Sequence, residues 1–235
     1  MIKIGVFVEG QTENIFITRL LAEYLGYEKF EVESIRLMGN KARIIRKRAI
    51  HSGVQIYVLI YDVGSDEKVV SALVERAEKM VKKDNYQYLL ALRDLYPNKR
   101  QEKLNIINKV QKVFSKFVFA YRLKFVLAIM EIEAWFLADY GLFKRIDERL
   151  TPQYIHEKIG EDLIKNDPEN YQHPAHIIDN IYRLIGRRYK KREKQCYEIT
   201  SNIDYDFLCL DEGIKSKISS FFYFLKCIDS MLQEV

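Results

Sequence analysis

A chain of 235 residues holds one large domain, or one domain with an appendage. With 48% hydrophobic and 30% charged residues, and only 10 Gly and 4 Pro, it is composed like a folded protein with a real core, and long disordered tracts are excluded. Lys and Arg outnumber Asp and Glu by 38 to 33, so the net charge of +5 permits an anionic partner without demanding one.

In chain order, the first apolar run (Ile4, Val6, Phe7, Val8) reads as a buried strand that stops at Glu9-Gly10. Thr12 is placed to cap a helix, with Glu13 in its first turn. Ile15, Phe16, Leu20 and Leu21 then recur at helical spacing to about Leu25, ahead of Gly26. Phe30 to Leu37 alternates as a second strand, closed by the turn Gly39-Asn40. Lys41 to His51 predicts a basic helix with Ala42, Ile45 and Ala49 facing inward. Val54 to Tyr61 is a strong strand ending on Asp62, and Gly64-Ser65-Asp66 turns into a helix that runs to about Lys83. Tyr86 to Leu92 is another strand, closed by Arg93-Asp94. After Pro97, a helix from about Gln101 carries Leu104, Ile107, Val110, Val113 and Phe114 on one face. Leu123 to Met130 is the last strand and runs straight into Glu131 to Asp139.

Beyond Asp139 the texture changes. Pro152, Pro168 and Pro174 punctuate a polar region, an amphipathic stretch spans Ile177 to Ile185, and a basic run follows from Arg187 to Lys194. Ile214 to Leu232 predicts one helix with a broad apolar face. Strands separated by helical stretches imply an α/β fold, with a mainly parallel central sheet flanked by helices, over residues 1–139. Residues 140–235 are expected to form an α-helical C-terminal region, packed on the sheet or standing as a small lobe.

Cys196, Cys209 and Cys227 are widely spaced and form no C-x-x-C pair, which argues for a reducing compartment and against a disulfide framework or structural zinc. The N-terminus reads as a strand rather than a signal peptide, and even Phe117 to Met130 is interrupted by Arg122 and Lys124. A cytoplasmic protein with no membrane association is expected. Walker A, G-x-G-x-x-G after the first strand and G-x-S-x-G are all missing, which argues against a P-loop ATPase, a Rossmann dehydrogenase and a serine hydrolase.

The acids carry the functional signal. Glu9, Asp62, Asp94 and Glu131 each follow an apolar strand, and parallel strands present their carboxyl ends on one edge of the sheet, where ligands bind. Glu9 and Glu13 brought together there repel unless a cation or protons neutralise them. A hard divalent ion such as Mg²⁺ or Mn²⁺ suits one or two carboxylates with water and phosphate oxygens. The plainer reading is that both glutamates favour the positive end of the helix. Asp62 and Asp66 equally suit a turn and a helix cap. Trp135 and Phe136 read as core anchors, and His173 and His176, beside Pro174, as a surface turn. Arg187, Arg188, Lys190, Lys191 and Arg192 can track a nucleic-acid backbone, with Tyr189 against a base or sugar, or form a solvated helix face.

Glu9-Gly10-Gln11-Thr12-Glu13 resembles the E-G-x-T-E form of the TOPRIM-like nucleases, especially the overcoming-lysogenization-defect (OLD) nucleases. Val126 to Asp139 resembles the E-A-W-F-L-A-D signature of a small TOPRIM-like family catalogued as domain of unknown function 4276. These motifs span Ile2 to Asp139. The resemblance implies a TOPRIM-like fold and divalent-metal chemistry on the phosphodiesters of DNA or RNA, in phage defence or nucleic-acid processing. It implies Glu9 as general acid/base or metal ligand, Glu13 as the second glutamate, Asp94 as the metal-binding aspartate, and Glu133 rather than a solvated Glu131 as the acid that points into the site. Where a D-x-D would place its second acid stands Tyr96, so Asp62 and Asp66 are the candidates to compensate. OLD nucleases usually carry an ATPase. This chain does not, so coupling to ATP would need a partner chain, and self-association stays open. The expectation is therefore a metal-dependent phosphodiester hydrolase. Its rival is a non-catalytic nucleic-acid- or nucleotide-binding accessory protein.

Overall fold

The computed structural model describes residues 1–38, 41–47 and 53–233. They form a mixed α/β chain that divides into two compact units. The first comprises Met1–Asp94, Lys99–Leu127 and Tyr223–Val235, and the second Leu95–Asn98 and Ala128–Phe222. The expected boundary at 139/140 falls inside the second unit.

The first unit is built on a sheet of strands β1 (Ile2–Val8), β2 (Phe30–Met38), β3 (Lys41–Lys47), β4 (Ile56–Asp62), β5 (Tyr88–Asp94) and β6 (Leu123–Ala128), in the order β3-β2-β4-β1-β5-β6. β1 runs parallel to both neighbours, Val8 opposite Asp62 on β4 and Phe7 opposite Ala91 on β5. β2 runs parallel to β4, with Arg36 opposite Asp62. These central strands are buried almost throughout, as parallel strands covered on both faces must be. The helices are α1 (Gln11–Leu25), α2 (Asp66–Lys82) and α3 (Lys103–Phe114). Gly5 explains how closely α2 approaches β1. A Cβ there would stand 2.7 Å from Leu89 Cδ2 and 2.8 Å from Met80 Cε, so a larger residue would push the ends of those two side chains aside.

The structure corrects three sequence-based expectations. Lys41–Lys47 is not helical: it is β3, antiparallel to β2 with Met38 opposite Lys41. Mixed Lys, Arg and β-branched Ile suit an exposed edge strand as well as a basic helix, and β2 offers the free ladder. The expected turn at Gly39-Asn40, and residues 48–51 of the expected helix, lie outside the described residues. Leu104 is 69% exposed, so the buried face of α3 rests on Val110 and Phe114 instead. The single C-terminal helix is two, α10 (Glu212–Lys217) and α11 (Ser219–Gln233), divided at Ile218, whose backbone leaves the helical region. Residues from Tyr223 onward belong to the first unit, where Tyr24 donates to Asp229 Oδ1 at 2.8 Å.

The second unit is helical: α4 (Glu133–Leu137), α5 (Leu142–Ile146), α6 (Pro152–Ile159), α7 (Pro174–Arg183), α8 (Glu193–Asn202), α9 (Tyr205–Leu210), α10 and the start of α11. Its helices are short, and side-chain caps start several of them. Thr151, Asp204 and Asp211 each accept from a backbone N–H in the first turn of the next helix. Trp135, Phe136, Phe143 and Tyr182 are fully buried in it, as expected of the tryptophan and phenylalanine. Among the described residues no helix is long and apolar enough to cross a membrane. All three cysteines are buried, and none is in a disulfide.

Candidate functional site

In the first unit, three of the candidate acids fall at one edge of the sheet. β4, β1 and β5 are adjacent and parallel, so their carboxyl ends share a rim. The paired register ends at Phe7 and Ala91; Glu9 follows the last residue of β1, and Asp94 is the last residue of the neighbouring β5. Neighbouring strands are about 4.8 Å apart. Glu9 is half-buried, and Asp94 is buried at 6% exposure.

Glu13 and Asp62, at the same edge, make contacts that fix their place in the fold. Glu13 is buried, and its Oε2 accepts from Gly10 N–H at 2.9 Å, closing the first turn of α1. That is the capping role the plainer reading gave it. Asp62 is 1% exposed, and its Oδ2 accepts from Arg36 Nε at 2.8 Å and Nη2 at 2.7 Å. Asp66 opens α2, but its side chain lies outside the described residues. Among the described residues no three His, Cys, Asp or Glu side chains are grouped to hold a metal ion. Mg²⁺ does not require three, since it is commonly bound by one or two carboxylates with water and substrate phosphates.

In the second unit the E-A-W-F-L-A-D segment is a hub of internal bonds. Glu133, 0% exposed, accepts from Tyr189 Oη at 3.0 Å and Lys191 Nζ at 3.0 Å. Glu131 is buried rather than solvated, and accepts from Lys191 Nζ at 3.3 Å and Ala175 N–H at 3.0 Å. Two residues apart, these glutamates cannot share a helix face. They meet one ammonium because α4 begins only at Glu133, which leaves Glu131 in the preceding turn. Lys191 reaches both from a left-handed backbone at φ 53, a conformation costing roughly 1–2 kcal/mol outside glycine. Trp135 Nε1 donates to Ser220 Oγ at 2.9 Å, and Ser220 N–H in turn donates to Glu169 Oε1 at 2.9 Å. Asp139 accepts from Gly141 N–H, Asp204 N–H and the Arg145 guanidinium. Burial nevertheless pushes the Asp139 carboxyl above its ordinary range, with Arg145 and the Asp204 amide pulling it back.

The basic run is mostly committed to acids. Arg187 pairs with Glu198 and stacks over the Tyr182 ring at 5.0 Å. Arg188 donates Nε to Asp179 Oδ1 at 2.9 Å, and Lys191 bridges the two glutamates. Lys190 and Arg192 are exposed. Tyr189 does not face a base or sugar: it is 4% exposed, its hydroxyl on Glu133 and its amide on Asp179 at 2.8 Å. Asp179 and Arg183 were missed from the sequence, although their i, i+4 spacing on α7 was a readable signal. The Glu169–Ser220 link, 51 residues apart, left none. His173 and His176 are exposed, but they do not form a surface turn: His173 is the N-cap of α7 and His176 lies in its first turn.

A family described as Domain of unknown function (DUF4276) matches residues 8–210. No curated protein and no solved structure matches the chain.

Proposed function

Since the chain belongs to the Domain of unknown function (DUF4276) family, its job has to be read from its own residues, and we propose that it is a TOPRIM-like, divalent-metal-dependent phosphodiester hydrolase acting on nucleic acid in the cytoplasm. The observation that supports this reading is that β4, β1 and β5 are adjacent and parallel, so that Glu9 and Asp94, far apart in sequence, stand at the carboxyl ends of neighbouring strands. The E-G-x-T-E spacing at the tip of β1 is a second support. Bound there, Mg²⁺ or Mn²⁺ would activate water and offset charge on the phosphoryl oxygens. Glu9 and Asp94 would hold the ion, and Glu9 is also placed to take or give a proton. Glu13 and the Arg36–Asp62 pair would keep the rim in shape without touching substrate.

A second reading is a binding module that holds nucleic acid or a nucleotide without cleaving it. It is favoured by the commitment of Asp62 to Arg36 and of Glu13 to Gly10 N–H. A cleavage assay with Mn²⁺ on single- and double-stranded DNA and RNA separates the two. Cleavage that falls at least about 100-fold in both Glu9→Gln and Asp94→Asn supports the hydrolase. Salt-sensitive binding with no cleavage in the wild type supports the module.

A further inference from the structure

The second unit contains a cavity of about 470 Å³, within the roughly 300–1,000 Å³ usual for small-ligand sites. Its charged wall holds four cations, Arg183, Arg188, Lys190 and Lys191, against two carboxylates, Glu131 and Asp179. Both carboxylates already accept from protein donors. Glu131 accepts from Ala175 N–H and Lys191, and Asp179 from Arg183, Arg188 and the Tyr189 amide. The positive charge left over belongs to Arg183, Arg188 and Lys190.

The two guanidiniums are held from behind by one acid. Arg183 meets Asp179 Oδ2 through Nε at 3.1 Å and Nη2 at 2.9 Å, and Arg188 meets Oδ1 through Nε at 2.9 Å. That leaves Nη1 of Arg183 and both terminal nitrogens of Arg188 without a partner among the described residues. One carboxylate cannot neutralise two guanidiniums, but it can fix them. Two fixed forks beside a lysine suit a dianionic, three-oxygen group better than a singly charged diester, and little side-chain entropy remains to be lost on binding. His176 also lines the cavity and begins a row of rings leading away from it. His173 lies 5.0 Å from His176, and Tyr96, 42% exposed, lies 5.1 Å from His173. Exposed rings beside an anion site offer faces on which a base can stack.

We propose that this cavity binds the phosphate monoester of a nucleotide, the phosphate on Arg183, Arg188 and Lys190 and the base along His176, His173 and Tyr96. The ligand is a free nucleotide or the 5′-phosphate end of a strand. Binding needs no metal and does not rest on hydrolysis at the strand rim.

The test is calorimetric titration of the full chain in EDTA with adenosine 5′-monophosphate, adenosine, inorganic phosphate, and a short single strand with and without its 5′-phosphate. EDTA silences the rim, so failure of this pocket and failure of the hydrolase are read separately. The expected result is that the monophosphate binds at least about tenfold more tightly than adenosine or inorganic phosphate, with a similar preference for the phosphorylated strand if strand ends are the source. Arg188→Gln should weaken the monophosphate about tenfold or more. Lys190→Ala, which removes no contact to a carboxylate and so spares the fold, should weaken it roughly threefold to tenfold. Equal affinity for adenosine and its monophosphate, no binding by the wild type, or unchanged affinity in Lys190→Ala would overturn the proposal.

Discussion

Arg36 stands opposite Asp62 on the neighbouring parallel strand, and its guanidinium holds a carboxylate that is 1% exposed at 2.7–2.8 Å. A strand-end acid that sequence suggests as a metal ligand therefore has a permanent cation of its own. Removing that cation strands a buried charge. Arg36→Gln should cost roughly 1–3 kcal/mol in urea denaturation. That is less than a fully buried pair would lose, because the Arg36 side chain is 40% exposed to water. Asp62→Asn should cost less than Arg36→Gln, since it removes the buried charge rather than orphaning it.

Glu13 separates capping from chemistry. Its Oε2 serves the Gly10 amide, and a glutamine oxygen can serve as well. Glu13→Gln should keep thermal stability near wild type, while Glu13→Ala should lose about 0.5–2 kcal/mol. If nucleic-acid cleavage is found and Glu13→Gln abolishes it at unchanged stability, Glu13 belongs to the chemistry and not only to the turn.

Ser220 Oγ serves three buried partners at once, accepting from Trp135 Nε1 at 2.9 Å and Ile129 N–H at 3.4 Å and donating to Glu169. Ser220→Ala leaves the indole N–H without its acceptor and takes a hydroxyl donor from the carboxylate. We expect a loss of about 1–3 kcal/mol, with a change in the near-ultraviolet dichroism of the single tryptophan. Ser220→Thr should be milder if the cavity admits the methyl group.

Two acids of the second unit should give stability opposite slopes with pH. Hydrogen bonding to Arg188, with the Tyr189 amide and Arg183 behind it, holds Asp179 down at about 2, against an ordinary value of 3.8. The unfolded chain binds that proton more readily, so Asp179 stabilises above about pH 4 and the benefit is lost as pH falls toward 2. Burial pushes Glu169 the other way, above its ordinary 4.5, against the bonds from Ser220 and Ser219. Its contribution is greatest below that value and declines as pH rises through the raised one. Relative to wild type, Asp179→Asn should therefore look worst near neutrality and least harmful near pH 2. Glu169→Gln should look better at pH 7 than at pH 4. Denaturation midpoints across that range check both signs.

The strands of the sheet were legible because they are continuous apolar runs with β-branched residues, each stopped by Gly, Pro or an acid. β1, β4 and β5 follow that grammar, and their parallel order follows from the helices between them. β3 was not legible. Its alternation of cations with Ile44 and Ile45 fits two conformations, and only the presence of β2 alongside decides between them. The site was half legible. Strand-end position could be read for Glu9, Asp62 and Asp94, but the pairing of Asp62 with Arg36 could not, since the two sit 26 residues apart. Glu131 shows the same blindness: spacing said solvent, and Lys191, 60 residues on, says otherwise.

The outermost strand has a last implication. Among the described residues β3 ends the sheet, with no strand on its outer side, and it displays Ile44 and Ile45 at 55% and 46% exposure. Such a border invites another copy to zip on and grow into fibrils, and Lys41, Arg43 and Arg46, exposed on the same strand, make like-charged copies repel instead. Exchanging Lys41, Arg43 and Arg46 for Gln or Thr is therefore expected to raise aggregation, read by light scattering.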